Sequence, residues 1–141
     1  MKIKSPIKSG NGNGATSTLL SSAFCPNSEF ENLSEWVRLD ASLVRRNVAC
    51  MEEHRQSLRA RGETEKRLSE LDQWRESPAF TEREKAALSL SETLSLHESE
   101  ELSTRILKEA GRYFNTHQIV RLTLTIIAVN DWIDFHGVRV A

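Results

Sequence analysis

The sequence predicts an all-α protein, a compact bundle of about six helices. Three observations carry that expectation. Apolar residues recur at helical spacing in one segment after another, side-chain caps and Gly or Pro breaks separate the segments, and the one run that also suits a strand has no second strand to pair with. At 141 residues the chain is long enough for one domain with a substantial core. Its 38% apolar and 28% charged content are ordinary for a globular chain.

Residues 1–28 are rich in Ser, Gly, Asn and Lys and read as a flexible tail, leaving 29–141 as the folded domain. Gly10-Asn11-Gly12-Asn13-Gly14 is not a phosphate loop, because no Gly-Lys-Ser/Thr follows it. Lys2, Lys4 and Lys8 ahead of Leu19-Leu20 hint at an export signal, but the apolar stretch is too short for one. The helical pattern starts near Glu31, with Asn27 or Ser28 as candidate caps. Leu33, Trp36, Val37, Leu39, Leu43 and Val44 form its apolar stripe.

A second helix is expected from about Val48 to Arg61, closed by Gly62 in a left-handed cap. A third runs from Glu63 to Trp74, with Leu68, Leu71 and Trp74 on one face, and Ser77-Pro78 then interrupts the chain. Thr81 and Glu84 form a capping box for a fourth helix, about Glu82 to Leu96. The fifth spans about Ser99 to Tyr113. Asn115 and Gln118 open the last, about Thr116 to Phe135. Its run Leu122 to Val129 is apolar on more than one face, which predicts a buried central helix, although the alternating Thr123 and Thr125 also suit a strand.

The net charge of -1, with acids and bases interleaved, argues against nucleic acid as a partner. The apolar run Leu122 to Val129 is far short of a bilayer span, so no membrane partner is expected. Two cysteines, Cys25 and Cys50, are too few for a disulfide scaffold and point to a reducing, cytoplasmic compartment.

Cys50 and His54 form the pair with chemical potential. At i and i+4 on one helix they share a face, and an imidazole beside a thiol either takes its proton or stabilises the thiolate. Cys50 also lies near the helix start, where backbone N–H groups favour an anion. Glu35 on the preceding helix is a candidate to orient His54. On the residues alone, the plainer reading is a small buried cysteine with a histidine nearby by chance. No metal site is expected, since His97, His117 and His136 lack ligand spacing, and no cofactor is called for. Trp74, Trp132 and Phe135 read as core or subunit contact. Glu63, Glu65, Glu82 and Glu84 read as acids early in helices, complementing the dipole.

Three further segments carry a resemblance. Arg59 to Leu68, Trp74 to Leu88 and Val120 to Trp132 are together similar to the AhpD-like (alkylhydroperoxidase) branch of the carboxymuconolactone decarboxylase family, over roughly Leu33 to Trp132. The resemblance implies a helical fold assembled as trimers or larger homo-oligomers. It also implies thiol peroxidase activity on a peroxide substrate, with an external thiol as reductant. The family's motif is C-x-x-C-x-x-x-H with a glutamate upstream. Here Cys50 matches the second cysteine, His54 the histidine and Glu35 the glutamate, while Asn47 stands in place of the first cysteine. An asparagine forms no disulfide, so a Cys50 sulfenic acid needs another thiol for its resolution: a small thiol, a partner protein or Cys25. Two alternatives stay open. One is a lactone decarboxylase of the kind that names the family. The other is a non-catalytic member that keeps the fold as a binding or assembly module.

Overall fold

The computed structural model describes residues 28–137, and every regular element among them is helical. The helices are α1 (Ser28–Val44), α2 (Val48–Ala60), the short α3 (Glu65–Ser69), a single 3-10 turn (Leu71–Gln73), α4 (Glu82–Ser95), α5 (Glu100–Ala110) and α6 (Thr116–Gly137). The expected tail lies outside the described residues apart from Ser28, which opens α1; so do Asn27 and Cys25. The chain divides into two compact units at Glu31/Asn32, and the second holds Cys50 and the core clusters around it. No described helix is long and apolar enough to cross a membrane.

The predicted punctuation sits where the chain turns. Gly62 takes φ +99°, the left-handed conformation that leads the chain out of α2. Thr81 and Glu84 form both halves of a capping box at α4. Asn115 and Gln118 exchange side-chain bonds with each other's backbone N–H groups at 2.8 and 3.0 Å. Ser99, expected as the first residue of its helix, instead caps α5, its Oγ accepting from the Leu102 N–H.

The third helix differs from its prediction. The expected continuous Glu63–Trp74 segment breaks after Ser69 into α3 and the 3-10 turn, and Thr64 is the cap rather than part of the helix. Glu63 therefore does not serve the helix dipole. It accepts from Trp36 Nε1–H at 3.3 Å and from Arg67 at 3.2 Å.

One core cluster joins α1, α2, the α3 region and α4 through Trp36, Leu39, Leu58, Leu68, Leu71, Trp74, Phe80 and Leu88. Trp36 and Phe80 meet edge to face, with ring centroids 5.1 Å apart. The Arg67 guanidinium lies about 5 Å from both ring centres and binds Glu63, Glu84 and the Ala79 carbonyl. A planar cation among two rings and two carboxylates has little freedom, so this stack fixes α3 against α1 and α4.

The buried central helix is α1, not α6. Trp36, Val37, Leu39 and Ala41 are at most 1% exposed. α6 packs on α4 and turns Leu122, Ile126, Val129 and Ile133 inward. Its other side leaves Val120, Leu124, Ile127, Trp132 and Phe135 exposed in the single chain, so Trp132 and Phe135 are not core residues, whereas Trp74 is. Arg45 ties α1 to α6 by donating to Asn130 Oδ1 at 2.6 Å and pairing with Asp134.

Candidate functional site

The site lies where α1, α2 and the middle of α6 converge. Asn47 caps α2, its Oδ1 accepting from the Cys50 N–H at 2.9 Å. This fixes Cys50 at the third helical position, with its side chain between Ala41 of α1 and Val129 and Ile133 of α6. His54 follows one turn later on the same face, as its i+4 spacing requires. On α1, Glu35, Arg38 and Ser42 fall at i, i+3 and i+7 and form a polar stripe facing α2.

His54 Nδ1 stands 3.0 Å from Glu35 Oε1, and Arg38 donates to Glu35 Oε2 at 2.7 Å. Burial would raise the Glu35 carboxyl, but the hydrogen bond from His54 and the Arg38 charge outweigh it and hold it below the ordinary carboxylate value. An ionised Glu35 only accepts. The imidazole therefore carries its proton on Nδ1, and in the neutral ring Nε2 is left as a base.

Cys50 is 5% exposed, and its sulfur lies 2.9 Å from Ser42 Oγ. Burial pushes the thiol up; Glu53 and Glu35 push the same way, and Ser42 opposes them. The helix start does not prevail, because burial and two carboxylates act against the anion and Asn47 has taken the Cys50 N–H. The resting group is a thiol.

Arg38, Cys50, Glu53, His54, Ala128, Val129 and Trp132 line one cavity of about 200 Å³. One side is polar and reactive, from α1 and α2; the other is apolar, from α6. The expected trio of Glu35, Cys50 and His54 is thus brought together, with Cys50 and His54 on the cavity and Glu35 behind the imidazole. Arg38, Ser42 and the α6 wall were missed as site residues. The polar stripe on α1 could have revealed the first two; nothing local in α6 marks Trp132. Among the described residues no group of His, Cys, Asp and Glu has metal-binding proximity.

Fold and site together define an all-α cysteine protein with a carboxylate–imidazole pair beside its thiol. The profile of the carboxymuconolactone decarboxylase family matches residues 32–93. Uncharacterized protein YdfG of Bacillus subtilis (strain 168) is 31% identical over 98 residues, 70% of this chain and 67% of that protein. The chain belongs to the carboxymuconolactone decarboxylase family. Its fold is that of the AhpD-like branch. A crystal structure from Agrobacterium tumefaciens, of a protein of unknown function and candidate antioxidant defence protein AhpD, superposes with a TM-score of 0.72 at 24% identity, over 97% of this chain and 94% of that one.

Proposed function

We propose that the protein is a single-cysteine thiol peroxidase that reduces an organic hydroperoxide at Cys50 at the expense of an external thiol, as a homo-oligomer. The observation that carries the reading is the Glu35–His54 pair, 3.0 Å apart, with His54 on the same cavity as Cys50. His54 Nε2 takes the thiol proton as substrate enters. The Cys50 thiolate attacks one peroxide oxygen, the O–O bond breaks, and an S–OH bond forms. The leaving alkoxide receives the proton from His54 and departs as the alcohol. Glu35 holds the ring and stabilises the transient imidazolium. An external thiol then attacks the sulfenic sulfur, releasing water and leaving a mixed disulfide. A second thiol restores Cys50 and carries the disulfide away.

Treating the folded protein with an organic hydroperoxide and trapping sulfenic acid with a 1,3-dione, followed by mass spectrometry, tests the reading. The adduct is expected on Cys50 and absent in Cys50→Ser. A folded protein that keeps Cys50 as an unmodified thiol overturns the peroxidase.

A second reading, the non-catalytic assembly module, draws on the burial of Cys50, which pushes the thiol up and disfavours its thiolate. It expects no adduct at any peroxide concentration that leaves the fold intact, so the same experiment decides between the two.

A further inference from the structure

Ser42 makes two contacts that a single hydroxyl cannot serve as donor at the same time. Its Oγ lies 2.8 Å from the Arg38 carbonyl oxygen, four residues back on α1, and 2.9 Å from Cys50 Sγ. A backbone carbonyl only accepts, so the Ser42 proton belongs to Arg38. The contact with sulfur is then satisfied by the thiol proton, and the resting chain of donors runs from Cys50 S–H to Ser42 O–H to the Arg38 carbonyl. A Cys50 thiolate has no proton to give and requires a donor. Ser42 is fully buried, and its hydroxyl already lies against the sulfur.

We infer that Ser42 is a positioning residue that governs thiolate formation at Cys50, its hydroxyl proton turning from the Arg38 carbonyl to the sulfur as Cys50 ionises. The inference deepens the peroxidase reading and rests on it for what the thiolate is used for, though not for the thiolate itself. The turn exchanges one neutral hydrogen bond for a charge-assisted one, which is the stronger kind. It leaves the Arg38 carbonyl with its helical partner alone. Of the other groups around the sulfur, Glu35 on α1 and Glu53 on α2 repel the anion. Glu35 engages His54 Nδ1 and one Arg38 N–H; the other Arg38 N–H groups, the Trp132 indole N–H and His54 Nε2 once it has taken the thiol proton are further donors on the cavity, but it is the Ser42 hydroxyl that lies at hydrogen-bond distance from the sulfur.

The test is the pH profile of Cys50 alkylation by iodoacetamide, followed by mass spectrometry in Ser42→Ala, Ser42→Thr and Ser91→Ala. Ser91 is a second buried serine, bonded to the Val37 carbonyl of α1 and remote from the sulfur in its contacts, and it controls for general loosening of that helix. Loss of the donor is expected to move the S42A inflection up by about one unit. The thiolate fraction below the inflection then falls about tenfold and each thiolate becomes about threefold more nucleophilic, so alkylation at pH 7 slows about threefold. S42T and S91A are expected to keep the wild-type profile. An unmoved S42A inflection overturns the inference, as does an equal shift in S91A. Should S42T fail to fold, by its circular dichroism, the comparison of S42A with S91A decides. Because iodoacetamide is no peroxide, the two readings fail separately. A shifted S42A profile without a sulfenic adduct in the wild type leaves Ser42 standing and removes the peroxidase; an adduct with an unshifted profile does the reverse.

Discussion

Asp40 illustrates at the residue scale what burial does to a carboxyl that the site does not use. It is 1% exposed, and its Oδ2 has no hydrogen-bond partner. Desolvation and the neighbouring Glu92 raise it from 3.8 to about 7, against opposition from Ser91 and Arg75. The folded state therefore holds the proton more tightly than the unfolded chain does. Stability linked to Asp40 is fully present below its unfolded value and declines as pH rises through the window between 3.8 and about 7. The shift of about three units sets an upper limit of about 4 kcal/mol. Urea unfolding measured from pH 5 to pH 8 is expected to show the wild type losing stability with rising pH and Asp40→Asn losing distinctly less. Parallel curves for the two proteins would show that Asp40 is not the titrating group. No sequence pattern singles out Asp40 for this. Its neighbours Ser91 and Glu92 arrive from α4, fifty residues away, and burial is a tertiary property.

At the scale of elements, Asn47 has two meanings that only the structure joins. Against the family motif it is a missing cysteine. In the fold it is the cap of α2, and its Oδ1 holds the backbone N–H of the reactive residue itself. Asn47→Cys restores C-x-x-C and removes a good cap, so the two consequences separate experimentally. Loss of the cap is expected to cost about 1 kcal/mol, which lowers the melting temperature of a domain this size by roughly 3–5 °C. The new thiol should convert the sulfenic acid made by peroxide into an internal disulfide, read as the loss of two hydrogens in the intact mass and of both free thiols by counting. A folded Asn47→Cys protein that makes no such disulfide excludes Cys50 as the residue that peroxide oxidises. Caps were the legible part of this chain: Thr81, Asn115 and Gly62 act through residues three or four positions away, so their geometry is written locally. The break after Ser69 was harder to read. Leu68, Leu71 and Trp74 are spaced strictly by three, a pattern that α-helical and 3-10 turns both satisfy. Cys50 and His54 were visible as an i, i+4 pair. Glu35 was a candidate partner of His54 on the preceding helix, but spacing could not place it there, because the bond to His54 spans 19 residues and two helices.

At the scale of the whole molecule the open expectation is assembly, and α6 is where it is decided. A run apolar on more than one face predicted a buried central helix, yet the single chain covers only the face carrying Leu122, Ile126, Val129 and Ile133. The opposite row keeps Val120, Leu124 and Ile127 at 49%, 60% and 43% exposure, and Phe135, further along the helix, at 72%. A second copy of the chain over that row would cover it. An uninterrupted strip of large aliphatic side chains is costly to leave in water, and its i, i+4, i+7 spacing suits packing against another helix. Trp132 links this row to chemistry, since it is 43% exposed and also walls the cavity over Cys50. Leu124, in the centre of the strip and absent from the lining of the Cys50 cavity, is the position to change. Leu124→Glu is expected to shift the sedimenting species from a multiple of the chain mass to the 16.0 kDa monomer, with the helical circular dichroism retained. A wild-type protein that already sediments at 16.0 kDa at micromolar concentration sinks the assembly. If the assembly exists, Cys50 alkylation in the monomeric variant reports whether the neighbouring copy closes the cavity: a faster reaction in Leu124→Glu means that it does, and an unchanged one means that Trp132 shields the thiol within a single chain.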